Sequence, residues 1–105
     1  MRWFFRKKLD INEEIKKYEE TENAVLLDVR RREEYKMGHI LDAINVPMEE
    51  IEKVVDIIKD KDTQVFAYCV GGVRSKKVLQ KMEKMGYKNL NNIGGTKDYK
   101  GKLNK

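Results

Sequence analysis

Gln64-Val65-Phe66-Ala67-Tyr68-Cys69-Val70-Gly71-Gly72-Val73-Arg74-Ser75 runs from an apolar segment through a glycine-containing loop into a helical period. Val65 to Tyr68 are apolar and rich in β-branched and aromatic side chains, which predicts a buried strand beginning at Gln64. From Ser75 the period changes. Val78, Leu79, Met82 and Met85 recur at helical spacing, and Lys76, Lys77, Gln80, Lys81, Glu83 and Lys84 occupy the remaining surface. A cysteine therefore stands where a buried strand ends, on a glycine-containing loop, at the start of a helix. It is the only cysteine in the chain of 105 residues.

Ala24-Val25-Leu26-Leu27, followed by Asp28-Val29, is a second continuous apolar run, as in strands covered on both faces. Arg30 to Met37 is polar with helical potential and closes at Gly38. Ala43 to Val46 reads as a short strand ended by Pro47. Met48 to Lys59 reads as one helix with Ile51, Val54, Val55 and Ile58 on its apolar face. Asn89 to Ile93 is a weak last strand, Gly94-Gly95 a turn, and Thr96 to Lys105 a short Lys-rich tail. Near the start, Leu9-Asp10-Ile11 reads as a short edge strand. Asn12 is then the N-cap of a helix with Glu13 and Glu14 in its first turn and Ile15 and Tyr18 turned inward. Residues 1–8 are basic and aromatic, and Trp3, Phe4 and Phe5 are expected to pack on the domain.

Strands alternating with helices from residue 24 to residue 93 predict an α/β fold, a mainly parallel sheet flanked by helices. In such sheets ligands bind beyond the carboxyl ends of strands. Cys69 lies at one such end and Arg30 to Arg32 follow another, so the two are expected to share one rim.

The length fits one domain, 1–105, able to bury about two-thirds of its unfolded surface without staples. A single cysteine excludes an internal disulfide framework, and an unpaired thiol suits a reducing compartment. With one Cys and one His there is no zinc-ligand cluster, and no metal or cofactor is expected. No apolar run approaches a membrane span, and Met1 to Lys8 lacks the apolar segment of a signal peptide. The expectation is a cytoplasmic protein that does not engage membranes. The net charge of +5 is spread along the chain, which favours anionic ligands but supplies no nucleic-acid motif. Monomer and homodimer both remain open.

A thiol must ionise to act as a nucleophile, and a helix N-terminus and nearby cations lower its pKa. Gly71 and Gly72 let several backbone N–H groups converge on one point, an anion cradle around Cys69, and Arg74, Lys76 and Lys77 add positive charge. Val70 and Val73 would limit water without blocking the sulfur. The bland alternative is a small buried cysteine at a strand end. Arg74 has two readings, binding an anionic substrate or bracing the loop through a carboxylate. Arg30 likewise either contacts an anion or pairs with Asp28 or Glu34. His39 reads as a hydrogen-bonded structural residue beside Gly38.

Leu26-Leu27-Asp28-Val29-Arg30, Glu33-Glu34-Tyr35, Gly38-His39-Ile40 and Ala43-Ile44-Asn45-Val46-Pro47 resemble the first half of a rhodanese domain. Tyr68-Cys69-Val70-Gly71-Gly72-Val73-Arg74-Ser75, Gly86-Tyr87 and Gly94-Gly95 resemble its second half, in the same order. The resemblance covers about residues 11–103 and implies a rhodanese-like three-layer sandwich with helices on both faces of the sheet. It implies a sulfurtransferase in which Cys69 carries a persulfide. Val70, Gly71, Gly72, Val73, Arg74, Ser75 and Arg30 would hold a small anionic sulfur donor such as thiosulfate. A persulfide-donor or sulfur-acceptor protein would be the partner. Phosphatases of the same fold carry five residues between Cys and Arg; here Val70 to Val73 are four, a tighter ring that favours sulfur over phosphate or arsenate. A catalytically silent interaction module is the other alternative. Two departures stand out: Asp42 where the family has Gly, and Tyr99 where it has Trp.

Overall fold

β1 (Val25–Asp28) and β3 (Gln64–Cys69) form the centre of a four-stranded sheet whose pairings are all parallel, with β2 (Ile44–Asn45) and β4 (Asn89–Gly95) outside them in the order β2-β1-β3-β4. The computed structural model describes residues 10–105, so the expected packing of Trp3, Phe4 and Phe5 lies outside the described residues. The central strands are the two apolar runs, as expected of strands buried on both faces. Alternation along them builds two cores. Leu26, Phe66 and Tyr68 face one side, with Ile93; Leu27, Val65, Ala67 and Cys69 face the other.

The first side is covered by α1 (Ile11–Glu19), which contributes Ile11 and Ile15, and by Tyr35 of α2 (Arg32–Met37). Tyr18 meets Phe66 edge-on at 5.7 Å. The second side is covered by α3 (Val54–Ile57) and α4 (Val73–Lys84), with Val54, Val78, Leu79 and Met82 buried. Each such buried aliphatic side chain contributes about 1.5–3 kcal/mol by leaving water. The result is three layers, helices on both faces of a parallel sheet, as the sequence reading predicts.

Several boundaries differ. Ile11 is helical, and no strand runs through Asp10 and Ile11. Asp10, not Asn12, is the N-cap, its carboxylate accepting from the Asn12 N–H at 3.0 Å. Asn12 instead ties the chain end down: its amide donates to the Asp98 carbonyl and its oxygen accepts from the Lys100 N–H. Met48 to Lys59 is not one helix. Met48–Lys53 is 3-10 with non-helical backbone at Glu50, and only Val54–Ile57 is α. Ile51, Val54 and Ile58 are buried as expected, but the broken helical phase leaves Val55 41% exposed. Gly94 and Gly95 are strand, not turn, and Gly95 pairs with Cys69. The tail folds back, with a 3-10 turn at Thr96–Asp98 and a bridge between Asn104 and His39. Asp42 takes a left-handed backbone, φ 71°, the conformation a glycine there would adopt at least cost.

Candidate active site

β3 delivers Cys69 to the face of the sheet that α4 covers, so the thiol lies beneath the first turn of that helix. α4 starts at Val73, two residues before the expected Ser75, leaving Val70-Gly71-Gly72 as the connecting loop. Gly72 caps the helix with φ +99°, and a Cβ there would stand 3.3 Å from Gly94 Cα. That backbone swings the Gly72 N–H onto Cys69 Sγ at 3.0 Å. The Ser75 hydroxyl lies 3.5 Å from the same sulfur.

Cys69 is 1% exposed, and burial, the largest single influence, pushes its pKa up. The Ser75 hydroxyl and the N–H groups of Ser75, Gly72 and Gly71 together outweigh it, so the thiol's pKa is lowered. The N-terminal end of α4 points the same way, favouring negative charge. Such an arrangement favours the thiolate without a histidine base.

Behind these donors stands a residue that the sequence reading missed. Asn92 of β4 is buried; its Oδ1 accepts from the Ser75 hydroxyl at 2.8 Å and from the Gly94 N–H at 3.3 Å, and its Nδ2 donates to the Gly72 carbonyl at 3.0 Å. One amide thus positions two of the groups that face the sulfur. The signal was there: Asn92 shares a strand face with Leu90, and a polar side chain on an apolar face requires partners. The Ser75 proton has two acceptors, and when it turns to a thiolate the Gly94 N–H still satisfies Asn92.

Val70 and Val73 are 36% and 66% exposed, apolar groups at the rim. Arg74 reaches across to α2 and grips both oxygens of Glu34, at 2.9 and 3.2 Å. This pairing, ahead of the partial burial that opposes it, holds the Glu34 carboxyl below the usual carboxylate range. Arg30 is buried with Asp28. Its Nε and Nη2 donate to both carboxylate oxygens at 2.7–3.1 Å, and Nη2 also donates to the Gly38 carbonyl at 2.6 Å. The Tyr68 hydroxyl completes this cluster, donating to Asp28 Oδ2 at 2.7 Å and accepting from the Ile40 N–H at 3.1 Å. Arg32 pairs with Glu50. So Cys69, Gly71, Gly72 and Ser75 converge on one point, whereas the guanidinium groups of Arg74 and Arg30 are bound to carboxylates. His39 accepts no place in the loop; its ring stacks on Tyr35 at 3.8 Å, with Nδ1 3.0 Å from the Tyr35 carbonyl.

A family model, the rhodanese-like domain, matches residues 12–102. The chain belongs to the rhodanese-like domain family. Among curated proteins it is 37% identical over 73 residues to the thiosulfate sulfurtransferase PspE of Escherichia coli, covering 69% of this chain and 70% of that protein. It is also 40% identical over 81 residues to a tRNA uridine(34) hydroxylase of Buchnera aphidicola, covering 72% of this chain but only 26% of that much longer protein. Among solved structures it matches a rhodanese from E. coli with anions at TM-score 0.73 and 34% identity, over 78% of this chain and 98% of that one. The family accounts for the loop's position at the end of β3 and for the parallel three-layer frame around it.

Proposed function

We propose that this chain is a thiosulfate-type sulfurtransferase that carries sulfane sulfur as a persulfide on Cys69. The observation that carries the proposal is the ring of donors on Sγ: the Gly72 N–H at 3.0 Å and the Ser75 hydroxyl at 3.5 Å, beneath the N-terminus of α4. The likeness to PspE over most of both chains supports the same reading.

In the first half-reaction the Cys69 thiolate attacks the outer sulfur of thiosulfate. The new S–S bond forms as the sulfur–sulfur bond of the donor breaks, and its electron pair leaves with sulfite. The enzyme is left as Cys69–S–S⁻, and the loop N–H groups that held the thiolate stabilise this anion. In the second half-reaction an acceptor nucleophile such as cyanide or a thiolate attacks the outer sulfur, and the electron pair returns to Cys69 as thiolate. No second cysteine is present to resolve the persulfide internally, so the sulfur leaves on another molecule.

Arg74 and Arg30 act in this account as braces. Arg74 ties the first turn of α4 to α2, and Arg30 neutralises Asp28 beneath the rim. A phosphatase would need the loop arginine on its phosphate, whereas Arg74 here is bound to Glu34 through both terminal nitrogens and the loop has one residue fewer. A reducing, cytoplasmic setting suits the unpaired thiol.

The test is steady-state transfer from thiosulfate to cyanide, followed as thiocyanate. Turnover with ping-pong kinetics, abolished in Cys69→Ser, supports the proposal; an equal rate in Cys69→Ser refutes it.

A further inference from the structure

The loop that surrounds Cys69 carries no charge of its own between Cys69 and Arg74, because Val70, Gly71, Gly72 and Val73 are all neutral. The arginines the sequence offers for an anionic donor are committed elsewhere: Arg74 to Glu34, Arg30 to Asp28 and the Gly38 carbonyl, Arg31 to Glu34 at 3.7 Å, Arg32 to Glu50. A cation nonetheless lies on the loop. The Lys97 N–H donates to the Val70 carbonyl at 3.1 Å, which pins the turn after β4 against the first loop residue. The Lys97 side chain then crosses Gly71. Its Cε and Nζ lie 3.6 and 3.7 Å from the point where a Gly71 Cβ would stand. Lys97 therefore occupies the space of a side chain at position 71 and brings an ammonium where the loop itself has none. It is exposed, and among the described residues it makes no ion pair.

We propose that Lys97 is the specificity-determining cation of this site, selecting anionic over neutral reagents at Cys69. The inference rests on the reading of Cys69 as the sulfur-accepting nucleophile and names the residue that recognises its donor's charge. An ammonium over Gly71 acts through space on the outer, charged end of a reagent, and salt screens such an action over about 10 Å at 0.1 M ionic strength.

The experiment compares alkylation of Cys69 by iodoacetate, an anion, and by iodoacetamide, its neutral counterpart. The ratio of the two rates cancels any change in thiolate fraction, since both reagents need the thiolate. An exposed charge contact of about 0.2–1 kcal/mol corresponds to a ratio lowered about 1.4- to 5-fold in Lys97→Gln. Lys97→Glu should lower it further, and both differences should shrink in high salt. Lys84→Gln removes the same charge at the far end of α4, so its ratio should stay at the wild-type value. An unchanged ratio in Lys97→Gln and Lys97→Glu overturns the proposal, as does an equal fall in Lys84→Gln, which would mean net charge alone is sensed.

A parallel measurement of kcat/KM for thiosulfate in the same variants separates the two readings. Wild-type protein inert to thiosulfate but with a Lys97-dependent alkylation ratio counts against the sulfurtransferase reading and for the cation. Active protein with a Lys97-independent ratio does the reverse. A Cys69 that reacts with neither alkylating reagent overturns both.

Discussion

A Cβ on Gly95 would stand 1.8 Å from the Val70 carbonyl oxygen, so the end of β4 presses directly on the first residue of the Cys69 loop. Gly95 has an extended backbone, φ −158°, so space alone demands glycine there. The obstacle is backbone, also 2.5 Å away at the Gly71 nitrogen, and cannot swing aside. Gly95→Ala should therefore displace the loop and cost about 1–3 kcal/mol of stability, the range of overpacked interiors. Urea unfolding gives the stability, and iodoacetamide alkylation of Cys69 should be slowed along with it.

Ser75 is buried and its hydroxyl contributes to holding the Cys69 pKa down against the opposing effect of burial. In Ser75→Ala that help is lost, so the pH profile of Cys69 alkylation should move to higher pH. At fixed neutral pH the loss of a hydrogen bond worth about 1 kcal/mol slows alkylation about fivefold. The linkage has a sign. A thiol with a lowered folded pKa adds stability that is present above its unfolded pKa and is lost as pH falls through the folded one. The stability gap between wild type and Ser75→Ala should accordingly widen as pH rises.

Tyr68 neighbours Cys69 in sequence but faces the opposite core, where its hydroxyl serves Asp28 and the Ile40 N–H. Tyr68→Phe leaves both buried partners short of a hydrogen bond, at a cost of about 1–3 kcal/mol. The pH profile of Cys69 alkylation should stay where it is. Denaturation and alkylation, measured on the same preparation, separate the two effects; a moved profile would mean that the Asp28 cluster reaches the thiol.

Arg74 and Glu34 join α4 to α2 across the rim, with side chains 29% and 24% exposed. A double-mutant cycle with Arg74→Gln and Glu34→Gln should give a coupling of about 1 kcal/mol in unfolding free energy, the upper end for surface pairs, because this one is bidentate and partly buried. If Arg74 braces the loop, Glu34→Gln should lower kcat/KM in the same direction as Arg74→Gln. An Arg74 that bound substrate directly would instead be freed by Glu34→Gln, and KM would fall.

Much of this arrangement could be read from residues alone. The apolar runs at Val25 and Val65 carry the signature of buried strands, and the stripe of Val78, Leu79 and Met82 placed α4 on the sheet. Cys69 at the end of β3 followed from those two facts. What escaped was set by contacts distant in sequence. Gly72 begins α4 without any side-chain cap, so nothing local marked Val73 as helical. Glycines at 94 and 95 look like a turn until β3 and its loop are beside them. The spacing of Ile51, Val54 and Ile58 is met by a 3-10 turn joined to a short α-helix as well as by one long helix, and only the exposure of Val55 tells them apart. Asn92 and Lys97 reach the loop from β4 and the turn beyond it, across more than twenty residues of sequence from Cys69.

A persulfide on Cys69 is read directly from the intact mass of the protein after anaerobic incubation with thiosulfate and removal of excess donor. The mass should rise by one sulfur atom, located on Cys69, absent in Cys69→Ser and released by cyanide. Wild-type protein whose mass stays unchanged, or whose added sulfur survives cyanide, would rule out sulfur transfer through a Cys69 persulfide.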